Sequence, residues 1–327
     1  MWNLQEEFSR VEIGEASCFE NLAVFPLLRN DQEEESVGYI LLEEGIASDQ
    51  VRVSETDGGG CVSSLRIENG SELPLLLIDG EELIGAKQDR ALNLSILVPA
   101  KSTLTIPVTC VEAGRWSAAS PHVQTAGHLS YARLRGLKLE AVTRAMHASG
   151  SYKSNQSEVW KEIAAKSSRL NAASPTQATS AIHGRLAEHV ARFAGAFAWR
   201  PSQCGIVFSI NGRIRGMDLF AHATTMQRFF EKLVRSYSLD ALDAHSGSAE
   251  SVSRAGVDEF IGRVCRARIF TQQAVGLGKE IRVNGTRISG AALWAMERYL
   301  HVCAFEAAGE SSGLNGRMTP PSQRGTL

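Results

Sequence analysis

The chain has 327 residues, of which 43% are hydrophobic and 21% charged, with a formal net charge of -2 from 34 basic and 36 acidic side chains. That length exceeds one ordinary domain and predicts two lobes with sizeable cores. The near-neutral balance excludes a general electrostatic attraction to nucleic acid or anionic membrane, so neither is expected as a partner. The N-terminus, Met1 to Phe8, is acidic and lacks the apolar stretch of a signal peptide. No apolar run approaches the roughly 18 residues of a membrane span. The six cysteines, Cys18, Cys61, Cys110, Cys204, Cys265 and Cys303, include no CxxC pair. Scattered cysteines read as reduced thiols, so a cytoplasmic location is expected, with no metal site.

In chain order, residues 21–116 read as strands. Asn21 to Leu28 is the first, and an acidic loop from Asp31 to Ser36 follows it. Tyr39 to Leu42 is the second. Val51 to Ser54 alternates apolar and polar, as a half-buried strand does, and Gly58-Gly59-Gly60 breaks it. Val62 to Glu68 comes next, then Leu75 to Ile78, apolar throughout as in a strand covered on both faces. In the next strand Leu92, Leu94, Ile96 and Val98 share one face. After Pro99-Ala100-Lys101-Ser102, the same period aligns Leu104, Ile106, Val108, Cys110 and Glu112, and Pro107 predicts an edge or a bulge.

The pattern changes after Trp116. Residues 117–128 read as a loop, and 129–148 as a basic helix carrying Arg133, Arg135, Lys138 and Arg144, most simply on a solvated face. A helix follows from Ser157 to Leu170. Ser174-Pro175-Thr176-Gln177 has the form of a helix start, and Ile182, Leu186, Val190, Phe193 and Phe197 recur as one buried stripe. Asn211-Gly212 and Asn284-Gly285 predict two hairpins, because both turn residues there must take positive φ. Helices are expected over Met226 to Tyr237 and Val257 to Val264, then a last strand from Tyr299 to Phe305 and a disordered tail at 309–327.

The densest polar cluster runs from Asp79 to Arg90, followed by Asn93. Its carboxylates, amine, amide and guanidinium suit a polar ligand, and the competing reading is a charged surface hairpin whose ion pairs contribute little. A second cluster is Cys110 to Trp116. Glu112 ends an apolar row and needs water or a partner, for which Arg115 is nearest. Cys110 reads as a buried, inert thiol. His183 and His189, six apart on one predicted helix, cannot share a face, and no HExxH, P-loop or GxSxG motif is present.

The segments from Leu75 to Gln88, Asn93, Leu97 to Ala100 and Ile106 to Trp116 resemble the ARG and rhodanese-phosphatase-superfamily-associated protein domain family. Ala132 to Arg135, Val159-Trp160, Ser174 to Thr176, Gly216 to Phe220 and Ser238 to Leu242 extend the resemblance over roughly residues 20–305. From Asp243 to Ala255 a serine-rich stretch departs from it. The family's name implies association with ADP-ribosylglycohydrolase and rhodanese-phosphatase domains, hence with ADP-ribose, NAD or phosphate esters. It carries over no catalytic residues. It does imply that the two polar clusters are walls of one site.

The resulting expectation is an α+β protein. A β-sandwich-like lobe at 15–116 packs on an α+β lobe at 151–308, with a connecting loop and basic helix at 117–150. Lys87, Gln88, Arg90, Asn93, Arg115 and Trp116 would bind an anionic, nucleotide-like molecule. Glu81 or Glu112 would be the general base if burial raises its pKa toward neutrality. The alternative is a non-enzymatic binding or structural module.

Overall fold

The computed structural model describes residues 3–29, 36–56, 61–117, 120, 123–244 and 252–307. The acidic loop at 31–35, the glycine break at 58–60, the serine-rich stretch at 245–251 and the tail from 308 lie outside the described residues. The fold is α+β. Along the chain come α1 (Leu4–Ser9), β1 (Glu12–Ile13), β2 (Ser17–Phe19), β3 (Leu22–Leu28), β4 (Ile40–Leu41), α2 (Leu42–Ala47), β5 (Val51–Glu55), β6 (Ser64–Asn69) and β7 (Leu75–Leu77). Then follow β8 (Glu81–Ile84), β9 (Arg90–Leu92), β10 (Ile96–Val98), β11 (Ser102–Cys110), β12 (Gln124–Leu129), α3 (Ala132–Ser149) and α4 (Gln156–Arg169). The remainder is α5 (Thr179–Arg185), α6 (Ala187–Ala196), β13 (Gln203–Ile210), β14 (Arg213–Phe220), α7 (Ala223–Asp243), α8 (Arg254–Arg266), β15 (Arg268–Gln273), β16 (Lys279–Gly285), β17 (Ile288–Ala295) and β18 (Arg298–Glu306).

The N-terminal strands form a six-stranded sheet, β12-β8-β9-β11-β6-β5, and a three-stranded sheet, β10-β7-β4. One core lies between them, where Leu75, Leu77, Ile96 and Val98 meet Leu65, Leu83, Leu92 and Ile106. Leu92, Leu94, Ile96 and Val98 all enter that core, as their spacing predicts. Leu76, Ile78 and Leu97 face the other way, into a core shared with α7 and the large C-terminal sheet. That is why the run at 75–78 is apolar at every position.

The large sheet has the order β1-β3-β13-β14-β18-β17-β16-β15, with β2 on β3. Phe208 and Phe305 alternate with Val207 and Ala304, so one face packs on α3 and α7 and the other on α1 and α8. Strand β3 belongs to this sheet, pairing with β13, so residues 17–28 sit with the C-terminal strands rather than with the other N-terminal ones. Gly276 makes close approach between the halves possible: a Cβ there would stand 2.2 Å from the Leu97 carbonyl, which accepts from the Leu277 N–H.

Several sequence expectations shift. Residues 124–129 are strand β12, not loop, because they pair with β8. Within Tyr39 to Leu42 the strand is Ile40–Leu41, β4, and Leu42 already starts α2, while residues 90–98 form two strands in different sheets. Pro107 ends the pairing of β11 with β6, and from Val108 the strand pairs with β9 instead. Ile106 and Val108 are buried, but Leu104 is only half-buried. The helix start at Ser174 is delayed to Thr179, since the Thr176 carbonyl is taken by the N–H groups of Ala113 and Gly114. Leu186 leaves helical geometry (φ -106°, ψ 14°), so the stripe from Ile182 to Phe197 spans two helices. The Asn211-Gly212 hairpin forms with positive φ at both residues. At the second hairpin Asn284 and Gly285 stay in β16, and the turn is Thr286-Arg287.

Candidate functional site

The β8–β9 hairpin is not a surface feature. Asp79, Glu81, Glu82, Gln88, Asp89, Arg90 and Asn93 are all buried. Buried polar groups need partners, and all of these residues but Arg90 find hydrogen bonds, in separate networks. Glu82 stands opposite Ala91 and Leu83 opposite Arg90, so Glu82 and Arg90 point to opposite faces of the sheet.

The first network starts at Asp79. Arg135 donates to both oxygens of Asp218, at 2.6 and 3.1 Å, and to Asp79 at 3.3 Å. Lys138 donates to the Leu92 carbonyl and lies 3.6 Å from Asp79. Both cations are fully buried, which corrects the expectation of a solvated basic face; only Arg133 and Arg144 are exposed. Gly80, at φ +85°, leaves room for Arg135, whose Cδ would be 2.8 Å from an added Cβ. Ser95 accepts the Asp79 N–H and hydrogen-bonds His301 Nδ1 at 2.8 Å, and His301 Nε2 lies 3.1 Å from Asp218. Burial works to raise the Asp218 pKa, but Arg135 and His301 outweigh it and lower the carboxyl to about 2. The order Ser–His–Asp invites a hydrolase reading. Its three members are at most 7% exposed, however, and the adjoining cavity of about 10 Å³ holds no substrate. This is a structural relay.

The second network is centred on Glu82. Its carboxylate accepts from Ser130 at 2.7 Å and Thr179 at 2.8 Å, and it lies 3.1 Å from His128 Nε2. Residues 126–128 stand opposite Glu82 alone, a bulge with Gly127 at φ +71°, and this sets His128 over the carboxylate. His128 stacks on His183 with ring centroids 3.6 Å apart. Burial, then the neighbouring His128, holds His183 down at about 3, so it stays neutral. Burial alone would raise Glu82, yet the bonds from His128 and Ser130 bring it to about 2.

The third network joins the two clusters that the sequence placed together. Arg115 binds Glu112 at 2.6 Å, Asp89 at 3.0 Å and the carbonyls of Ala86 and Ser117. Gln88 donates to the Glu112 carbonyl and accepts from Cys110 Sγ at 3.0 Å. Burial pushes the Cys110 thiol up to about 11, in keeping with an inert cysteine. Asn93 lies elsewhere, bonded to the Tyr152 carbonyl and Thr109. On the other side of the hairpin, Trp116 lies over Lys87 Nζ at 5.4 Å and Arg90 Cζ at 5.7 Å. Arg90 is fully buried and, among the described residues, none of its side-chain nitrogens has a hydrogen-bond partner and its nearest carboxylate is Glu55, 3.9 Å away.

The condition set for a general base splits the two candidates. Burial works to raise Glu112, but Arg115 and the Asp89 N–H outweigh it and hold the carboxyl below its ordinary range. Burial raises Glu81 to about 7, but Glu81 lines a separate cavity of about 290 Å³ with Glu43, Arg228 and Lys232. Glu81, Glu82 and Glu112 therefore neither splay into solvent nor share one concavity. Sequence reasoning missed Arg135, Lys138, His128, Asp218 and His301. A signal existed for the first two, since both continue the helical stripe of Val142 and Met146, which are core residues.

Among the described residues, no three or more His, Cys, Asp and Glu side chains are grouped to hold a metal ion, and no helix is long and apolar enough to cross a membrane. These features define an α+β protein whose β8–β9 hairpin ties together buried ionic networks. The chain matches the family model of the ARG and Rhodanese-Phosphatase-superfamily-associated Protein domain over residues 10–305, and it belongs to that family. No curated protein and no solved structure matches it.

Proposed function

We propose that the protein binds a small anionic, nucleotide-like molecule beside Arg90, Lys87 and Trp116. The observation that carries this reading is the Arg90 guanidinium, buried with no hydrogen-bond acceptor among the described residues. A buried charge without acceptors is costly, and a phosphate or carboxylate would supply them in the planar, two-pronged form that arginine favours. Trp116 is 48% exposed, so it covers Arg90 from the solvent side and can turn aside to stack on a planar base. Lys87 adds a second charge next to the same ring. Glu112, Arg115, Asp89 and Gln88 brace this wall from behind. The family's association with phosphatase-type domains agrees with an anionic ligand.

The test is calorimetry with inorganic phosphate, AMP, ADP-ribose and NAD on the wild type and on Lys87→Ala. The expected result is binding of at least one nucleotide, weakened about tenfold in the variant, the loss of one charged contact of roughly 1.4 kcal/mol. A folded wild type that binds none of them, or an unweakened variant, would contradict the reading. A catalytic version requires a proton-exchanging group on the Arg90 face of the hairpin, and the Glu82–His128 pair lies on the opposite face. Conversion of the ligand during the titration selects that version. Binding without conversion selects the binding module.

A further inference from the structure

A second cavity, of about 600 Å³, lies away from the hairpin. Its walls are the start of α3, the end of α7, the β13–β14 turn and the end of β18. The volume falls within the range of roughly 300–1,000 Å³ common for small-molecule sites. Its floor is apolar, from Leu137, Ile210 and Phe305.

The charge on its two sides differs. On the helix side the acids are matched: Asp240 and Asp243 are held by the buried Lys166 at 2.7 and 3.1 Å, and Arg169 also grips Asp243. On the strand side Arg213, Arg215 and Arg287 face the single carboxylate of Glu306, which pairs with Arg287 at 3.2 Å, and Glu140 looks across from α3. Among the described residues, neither Arg213 nor Arg215 has a carboxylate within 4.0 Å, and Arg215 Nε is buried without a partner. A shallower cavity of about 430 Å³ continues past Arg213 and Arg287 and adds Arg263.

The backbone also singles out Arg215. Phe208 pairs with Gly216 and Ser209 with Ile214, so Arg215 is the extra residue of a bulge. Bulges of this kind re-aim side chains and recur beside functional sites. Nothing in the hairpin turn itself requires one, since Asn211-Gly212 already closes it.

We propose that this cleft is a second anion site, separate from the one beside Arg90, and that it takes a nucleoside diphosphate or a molecule of the same chemistry. The phosphates lie along Arg213, Arg215 and Arg287, where guanidinium forks match their oxygens. The uncharged body rests on Leu137, Ile210 and Phe305. The helix-side acids already engage Lys166 and Arg169, so the phosphates go to the strand side, which fixes the orientation.

The experiment is calorimetry of the full chain with ADP and with inorganic pyrophosphate. The variants are Arg213→Gln/Arg215→Gln and, as a control for the hairpin site, Lys87→Ala. Each is checked by thermal melting, and the single variant Arg213→Gln, an exposed position, guards against a folding defect in the pair. The double variant is expected to lose, by at least tenfold in affinity, one binding event seen with both probes, and that event persists in Lys87→Ala, which weakens only the binding beside Arg90. ADP is expected to bind several-fold more tightly than pyrophosphate because of the apolar floor. No binding to the folded wild type, equal binding to the double variant, or loss of the same binding in Lys87→Ala overturns the proposal. Equal affinity for the two probes overturns the nucleoside part of it.

Discussion

Arg135→Met is expected to cost about 3–5 kcal/mol, the usual cost of breaking a buried ion pair from one side. Arg135 and Lys138 balance Asp79 and Asp218 in a region without solvent access. Methionine fills similar space but leaves Asp218 and Asp79 with one cation between them. Since a domain's whole stability is about 5–15 kcal/mol, the variant should unfold at much lower urea or temperature. Arg135→Met/Asp218→Asn restores the balance, with Lys138 against Asp79, and should recover most of the loss. A single variant as stable as wild type, or a double variant no better than the single, would show that the relay is not what holds the two halves. The same network sets an acid limit. The folded-state pKa of Asp218, about 2, lies below its ordinary 3.8, so its contribution is complete above pH 4 and disappears as pH falls through 2.

Glu81→Gln is expected to act in the opposite pH range. Burial raises the Glu81 carboxyl from 4.5 to about 7. Its contribution is therefore complete below pH 4.5 and is lost as pH rises to 7, because the unfolded chain ionises there first. The difference is up to about 3 kcal/mol by the conversion of roughly 1.4 kcal/mol per pKa unit. Glutamine keeps an oxygen for the Ile78 N–H, which Glu81 now accepts at 2.7 Å. At pH 8 the variant should be more stable than wild type, and at pH 4 nearly equal to it. Chemical denaturation at both values checks this, and a variant less stable at pH 8 would mean that Glu81 is ionised and paired in the fold.

Much of the fold was legible because period and turn chemistry act locally. The row Leu92, Leu94, Ile96, Val98, the Asn211-Gly212 turn and the stripe of α7 from Met226 to Tyr237 are written in neighbouring residues. What was not legible depends on pairing across the chain. Strand β3 joins β13, some 180 residues on, and nothing in Leu22 to Leu28 names that partner. Strand β12 looked like loop because its Gly127 bulge and polar residues serve to carry His128, not to fill a core. Asn284-Gly285 carries the hairpin signal, but Gly285 serves close packing instead, with an added Cβ 3.0 Å from Ala267. At the site, the meeting of the 79–90 and 110–116 segments follows from adjacent strands. Their division into separate networks does not, because it depends on which face of β8 and β9 each charge takes. Arg135 and Lys138 were masked by their charge, although their helical spacing matches the core positions that follow them.

The proposed role of Arg90 means that its guanidinium is held in the fold for a ligand and not for stability. The decisive variant is Arg90→Met, measured by thermal melting with and without the nucleotide that binds best to wild type. Methionine removes a buried charge that makes no hydrogen bond among the described residues and stands 3.9 Å from the partly exposed Glu55, so the ligand-free variant should melt close to the wild-type temperature, and the ligand should no longer raise it. A variant that melts well below wild type and is still stabilised by the same ligand would contradict the claim.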